Sequence, residues 1–263
     1  MLIFWLLIIP MVTAGICVFI PRHSVSKYVS IAGSFITFVY NIVLNCIAYK
    51  YHTLQGFDGF FYLDSLSILS TQIVSLVGFA AALYSAGYME EELHDGEFSE
   101  KKLRWYYFLF HMFIFTMLSV CVTNNLGIMW VAIEATTLAT TFLVGFYNKK
   151  PHHEAAWKYI IICTVGITLA LFGVILTYHS AKGALGDIGY ALNWSELLKE
   201  ADRFEPHLIR LAFLFILVGY GTKAGLAPMH TWLPDAHSQA PSPISALFSG
   251  VLLNCSMYGI IRY

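Results

Sequence analysis

The chain has 263 residues, of which 58% are hydrophobic, 16% aromatic and only 12% charged, and its mean hydropathy is +0.66. A water-soluble domain carries about 25% charged residues, so the composition excludes a self-sufficient soluble domain, a disordered chain and a disulfide-built secreted scaffold. The 15 Lys+Arg and 16 Asp+Glu nearly cancel and offer no basic face to nucleic acid; a lipid bilayer is the expected solvent.

A helix crosses the roughly 30 Å hydrocarbon core with about 20 apolar residues. Eight segments meet that requirement: Leu2 to Ile20, Tyr28 to Tyr49, Leu66 to Tyr88, Trp105 to Val122, Leu126 to Tyr147, Ala155 to Tyr178, Leu208 to Ala227 and Ile244 to Ile261. They predict an all-α polytopic membrane helix bundle with little mass outside the bilayer. The first span has no basic residue before it and no clear small-residue cleavage site, so it reads as a retained helix rather than a signal peptide.

Orientation follows from the cations beside the spans. Arg22, Lys27, Lys101, Lys102, Arg104, Lys149 and Lys150 fall in loops 1-2, 3-4 and 5-6, whereas loops 2-3 and 4-5 hold only Lys50. This bias puts the odd-numbered loops in the cytoplasm and the N-terminus outside, with Lys182, Lys199, Arg203 and Arg210 of the 6-7 region running against it. Within that loop, Asn193-Trp-Ser-Glu196 has the spacing of a capping box, and Trp194, Leu197, Leu198, Ala201 and Phe204 follow at helical intervals. An amphipathic helix is expected there, either as a connector on the membrane surface or as a contact for a partner subunit.

Cys17, Cys46, Cys121, Cys163 and Cys255 fall inside or at the ends of spans, without CxxC spacing or a nearby histidine, and read as small apolar packers rather than ligands. No Gly-rich phosphate loop or serine-nucleophile motif is visible. The chain is therefore expected to hold no cofactor or metal and to have no catalytic residue of its own.

Two charges stand out against the apolar background. Glu134 lies eight residues past Leu126, about 12 Å into the bilayer at 1.5 Å per residue. Lys223 lies in Val218-Gly-Tyr-Gly-Thr-Lys223-Ala-Gly-Leu-Ala-Pro228, whose glycines and proline predict a broken seventh span lining a cavity or packed in protein. Each such charge costs on the order of 2.5 to 3.5 kcal/mol to insert. One reading is a buried ion pair that fixes helix packing. The other is a proton relay, because desolvation disfavours both charged forms and a neighbour's charge can then move a proton between them. Thr137 and Thr141, three and seven residues after Glu134, would line the same face and hold water beside it.

Lys158 sits near the start of span 6, where it either joins such a relay or snorkels to the interface. His111, six residues into span 4, reads either as a neutral core histidine or as part of a pathway. His152 and His153 read as solvated loop residues. The segment from Met229 to Pro243, with His230, Asp235 and His237, is too polar for lipid and too rich in Trp and Pro for a floppy loop. It reads either as the mouth of a pathway or as a rigid turn, with Ser242 capping span 8 and Pro243 at its first position.

These residues carry a family resemblance. Asn124-Asn-Leu-Gly-Ile-Met-Trp-Val-Ala-Ile-Glu134 with Leu143-Val-Gly-Phe-Tyr147, Glu154-Ala-Ala-Trp-Lys158-Tyr159, and Lys223 leading to His230-Thr-Trp-Leu-Pro-Asp235-Ala-His237-Ser-Gln-Ala-Pro-Ser-Pro243 resemble the proton-pumping, antiporter-like subunits of respiratory complex I and its relatives. Asp64 in Tyr62-Leu-Asp64-Ser-Leu-Ser67 resembles the segment that opens the third helix in the same family. Ala132-Ile-Glu134-Ala-Thr-Thr-Leu138 and Ser249-Gly-Val-Leu-Leu-Asn254 are closest to the membrane subunit of group 4 nickel-iron hydrogenases, of the hydrogenase-4 component F type. Several complex I subunits have a lysine at the position of Asn254 or a histidine at that of Ser249.

The resemblance implies that Glu134 and Lys223 are the paired residues of one half-channel, with Lys158 beside them on the polar axis. It implies a prokaryotic inner membrane, other membrane subunits, and a peripheral electron-transfer arm of hydrogenase or NADH dehydrogenase type whose nickel-iron centre, iron-sulfur clusters or flavin lie in the partners. Protons or sodium ions would be the cargo. Family members have about fourteen helices with inverted five-helix repeats; residues 1–104 would supply helices 1 to 3 and residues 105–263 the first repeat, helices 4 to 8. The second repeat is expected either in a longer frame or in another polypeptide. Two other functions fit the same residues: a subunit of a multi-subunit cation/proton antiporter, and a scaffold that assembles but conducts nothing.

Overall fold

The computed structural model describes residues 2–20, 23–185 and 192–263. Its elements in chain order are α1 (Leu2–Phe19), α2 (His23–Lys50), the strands β1 (Leu54–Gly56) and β2 (Phe61–Leu63), α3 (Ser65–His94), α4 (Glu100–Val122), α5 (Leu126–Val144), α6 (Lys150–Leu185), α7 (Trp194–Lys199), a 3-10 turn (Ala201–Arg203), α8 (Pro206–Lys223), α9 (Trp232–Gln239), α10 (Ser242–Leu247), a π-helical turn (Phe248–Leu252) and α11 (Leu253–Ile261). The last three run on as one rod, Ser242–Ile261, and with α1 to α6 make seven described helices long and apolar enough to cross a membrane. The expected seventh span, α8, is not among them. Its 18 residues include Pro206, His207, Arg210 and Lys223, and the helix stops four residues before the expected end at Ala227.

The stop has a local cause. Gly225 takes a left-handed φ of +75°, Leu226 N donates to Gly221 O at 2.8 Å and Gly225 N to Thr222 O at 3.2 Å. This Schellman pairing closes the last carbonyls of α8 and leaves Lys223 as its final helical residue. Helix α6 runs past both of its predicted limits, and its polar first turn places His152 and His153 in the helix rather than in the expected loop.

Helix α4 is the axis of the bundle. It packs against α1, α2, α3 and α5, and its aromatic side chains Tyr106, Tyr107, Phe110 and Phe113 are fully enclosed. Along α2, Ser26, Ser30, Ser34, Thr37, Asn41 and Asn45 are all buried at helical spacing, and Asn41 and Asn45 donate to Ser75 Oγ, Gln72 Oε1 and Ile68 O of α3 at 2.9 to 3.4 Å. Small and polar side chains of this kind hold helices together where burial from water does not.

The α6–α8 pair is tighter still. A Cβ added at Gly219 would meet Ala170 N and Gly166 O at 2.6 Å, and one at Gly173 would meet Ala212 O at 2.7 Å. Glycines thus let the two backbones touch, and that approach decides where Lys223 is delivered.

One end of the bundle is closed by short-range pairing that sequence patterning did not reveal. β1 and β2 form an antiparallel hairpin with Leu54 opposite Leu63, and single bridges join Phe61 to Thr123 and Asn125 to Asn193. Asn125 caps α5, its Oδ1 accepting from Gly127 N at 3.0 Å and Ile128 N at 3.1 Å. Asn193, the expected capping-box residue, makes no side-chain cap for α7. The amphipathic helix is present, but Trp194 is buried against Tyr62 and under Arg262, whose guanidinium carbon lies 3.9 Å from its ring centroid. Ser242 does not cap the last rod either, because the helix already begins at that residue and no side-chain cap bond forms.

Arg262 also forks onto Asp64, with Nη1 to Oδ2 at 2.8 Å and Nη2 to Oδ1 at 2.5 Å, while Asp64 caps α3 through Ser67 N at 2.9 Å. Partial burial acts to raise the Asp64 pKa, but the Arg262 fork, the Ser67 N–H and the guanidinium charge outweigh it and hold the carboxyl below its ordinary range. The opposite end of the bundle carries Lys27 paired with Glu90 at 2.6 Å and Lys149 with Glu97 at 2.5 Å. Arg22, part of the expected charge bias, lies outside the described residues.

Candidate functional site

Three helices converge on Lys223. Its ammonium donates to Thr137 Oγ1 of α5 at 2.9 Å and to the Tyr159 hydroxyl of α6. It also lies 4.5 Å from the centroid of the Tyr159 ring and 6.0 Å from that of Trp232. Lys223, Thr137, Tyr159 and Trp232 have no exposed surface. Trp232 is held in place by its Nε1, which donates to Thr222 O at 2.9 Å, and by its ring, 4.9 Å from that of Tyr159.

The ammonium has three donors and sits at the C-terminal, electronegative end of α8. Hydroxyl acceptors, two aromatic faces and the helix end together replace the water that it loses.

Glu134 is not in direct ion-pair contact with Lys223; a hydroxyl joins them. Thr137 Oγ1, while accepting from Lys223, donates to Glu134 Oε2 at 3.3 Å, and Thr164 Oγ1 of α6 donates to Glu134 Oε1 at 3.2 Å. Glu134 is half-buried, with Thr164 on the outer face of the bundle. A second branch runs from Tyr159 to Thr140, whose oxygens are 2.7 Å apart. The sequence therefore folds Glu134, Thr137, Thr140, Tyr159, Thr164 and Lys223 into one hydrogen-bonded cluster.

The remaining candidates are distributed differently. Thr141 turns away from Glu134: its hydroxyl donates to Thr137 O at 2.7 Å, as threonines in apolar helices commonly do. Lys158 is half exposed and pairs with Glu154 at 2.9 Å and Asp235 at 3.0 Å; it is the next residue, Tyr159, that points inward. Asp235 thus ties α9 to α6. His237 bonds Ser245 Oγ through Nδ1 at 2.8 Å and packs on Phe248, which in turn stacks on Tyr159. Burial lowers the His237 pKa below the ordinary imidazole value. His230 is exposed, and its backbone oxygen accepts from Leu233 N. His111 lies apart, fully buried between α4 and α2, with Nε2 2.9 Å from Ser30 Oγ.

Tyr159, Thr140 and Thr164 were not singled out by the sequence. The available signal was positional, since Tyr159 directly follows Lys158 and Thr140 lies one turn beyond Thr136. The π-turn at Phe248–Leu252, a feature that often marks functional sites, places Phe248 against Tyr159. Among the described residues no group of three or more His, Cys, Asp and Glu is arranged to hold a metal ion.

Residues 123–263, which contain the whole cluster, match the sequence family described as NADH:quinone oxidoreductase/Mrp antiporter, transmembrane. Residues 57–99 match the N-terminal segment of chain 5 of NADH-ubiquinone oxidoreductase (complex I). The chain is 40% identical to the hydrogenase-4 component F homolog of Methylacidiphilum infernorum over 93% of its own length and 50% of the relative's. It is 31% identical to Na(+)/H(+) antiporter subunit A1 of Staphylococcus haemolyticus over 84% of its own length and 26% of the relative's. A chain of the archaeal membrane-bound sulfane sulfur reductase has the same fold, with a TM-score of 0.82 at 21% identity, over 98% of this chain and 52% of that one. The chain thus spans half or less of the length of these curated relatives. It belongs to the NADH:quinone oxidoreductase/Mrp antiporter transmembrane family.

Proposed function

We propose that the chain is a proton-translocating membrane subunit of a redox-driven complex of the hydrogenase or NADH-quinone oxidoreductase type, and that Lys223, Thr137 and Glu134 form its relay. The observation that carries this reading is the shared hydroxyl: Thr137 Oγ1 accepts from the Lys223 ammonium and donates to the Glu134 carboxylate. When Lys223 gives a proton to Thr137 Oγ1 and the hydroxyl passes its own proton to Glu134 Oε2, the pair changes from ammonium and carboxylate to amine and carboxylic acid. Both states are neutral overall, so a nearby change of charge shifts the balance between them. Release from Glu134 and reloading of Lys223 through Tyr159 and Thr140 complete a cycle. Lys158 with Asp235 and Glu154 supplies a charged mouth beside α9.

The ammonium occupies the position among the hydroxyls where a bound sodium ion would need oxygen ligands, which favours protons as the cargo. Moving one charge against 100 mV costs about 2.3 kcal/mol, and a hydrogen-bond chain supplies no free energy, so the driving reaction belongs to partner subunits with their own redox centres. The test is the Glu134→Gln variant in the complete complex, reconstituted in vesicles. Electron transfer should continue while coupled proton uptake falls to background; undiminished uptake would remove Glu134 from the path.

A further inference from the structure

A second site lies on the outside of the bundle, where α4, α5 and α6 leave a groove of about 750 Å³. Its floor is made by side chains too small to fill it, Gly145 and Ala156, and its walls by aromatic ones such as Phe108, Phe142 and Trp157. Phe142 and Trp157 are 67% and 66% exposed. Its lysine, histidine and asparagine, Lys102, His153 and Asn148, all line one end. From Lys102 to Leu109 on α4, and from His153 to Ile160 on α6, it extends seven residues, or about 10 Å along each helix.

The polar end presents a lysine that makes no salt bridge among the described residues. Lys102 places its ammonium 5.1 Å from the centroid of Phe146 and has no carboxylate partner among the described residues. Two acidic groups on this side are engaged by other lysines, Glu97 by Lys149 and Glu154 by Lys158. Lys101 and Lys150 are exposed beside this end, and Trp105 and Trp157, of the residue type that favours the membrane–water boundary, line the groove. An apolar slot closed by cations matches an amphiphile with an acyl chain and a phosphate at corresponding ends. A protein helix in the same slot would match the aromatic walls and leave the lysine end without its anion.

We infer that this groove binds one anionic phospholipid, with an acyl chain against Gly145, Phe142 and Trp157 and its phosphate at Lys102 and His153. The site does not depend on the relay assignment, although Thr141 belongs to the groove and donates to the carbonyl of the relay residue Thr137.

The experiment uses the complex that carries this chain, stripped of lipid and reconstituted in phosphatidylcholine vesicles containing acyl-brominated phosphatidylglycerol or acyl-brominated phosphatidylcholine. Bromine quenches nearby tryptophan, and the Trp105→Phe/Trp157→Phe double variant gives the background. Phosphatidylglycerol should quench these two tryptophans at about fivefold lower mole fraction than phosphatidylcholine, the preference given by roughly one basic residue at an anionic headgroup. Lys102→Gln should abolish the preference while retaining quenching, and Gly145→Leu should reduce quenching by both lipids. Equal quenching by the two lipids, a preference that survives Lys102→Gln, or no quenching above background because protein covers the groove would each overturn the inference.

Discussion

Replacing Thr137 by Val removes one hydroxyl from the centre of the cluster and leaves the side-chain shape almost unchanged. The hydroxyl makes two bonds, accepting from Lys223 at 2.9 Å and donating to Glu134 at 3.3 Å, so the substitution cuts the only described link between the two charges. A hydrogen bond to a charged group contributes about 1.5 to 3 kcal/mol, and each 1.4 kcal/mol is a factor of ten in rate. Coupled proton transport should therefore fall by about 10- to 150-fold. Thr137→Ser, which restores the hydroxyl, should recover most of the loss. The assay is dye-reported acidification of vesicles containing the reconstituted complex, normalised to electron transfer. Wild-type transport in an assembled Thr137→Val complex would refute the hydroxyl link, and equal losses in the Val and Ser variants would point to packing instead.

Two predictions concern the frame that positions the cluster. Gly219→Ala places a methyl group 2.6 Å from Ala170 N and Gly166 O, where only backbone can give way; overpacking of this kind costs about 1 to 3 kcal/mol, readable as a lower midpoint in thermal unfolding in detergent, and it should impair transport by moving Lys223. The Asp64–Arg262 fork predicts a pH dependence. Because the folded-state carboxyl is held below its ordinary range, the pair contributes stability above the unfolded value of about 4 and loses it as pH falls through the lower folded value. Asp64→Asn should flatten the acid limb of a stability–pH profile, and an unchanged limb would mean that Asp64 is not its source.

The charged pair was legible because a chain with so few charges makes each intramembrane one conspicuous, and the Gly and Pro residues after Val218 marked the break. Their joint geometry was not legible. Thr137 followed from the i, i+3 spacing, but its neighbour in the same reading, Thr141, turns its hydroxyl to the backbone, a rotamer choice that spacing does not fix. Tyr159 was hidden because one tyrosine among 16 carries no signal until α6 and α8 are docked, and their docking depends on glycine contacts between residues about fifty apart. The position of the break was misjudged by four residues because a left-handed Gly225, rather than Pro228, ends α8. The hairpin was missed because three-residue strands have too little periodicity to read, and their pairing with Thr123 is non-local. For α7 the amphipathic pattern was correct, while the destination of Trp194 was decided by Arg262 at the far end of the chain.

The most direct test of the relay is Lys223→Met in the complete complex. Glu134 keeps its bonds from Thr137 and Thr164, so the complex should still assemble, with a lower thermal midpoint because the Thr137 and Tyr159 hydroxyls lose the ammonium, while protons moved per electron fall to the level of the complex lacking this subunit's contribution. A stable Lys223→Met complex with an unchanged proton-to-electron ratio would contradict the account.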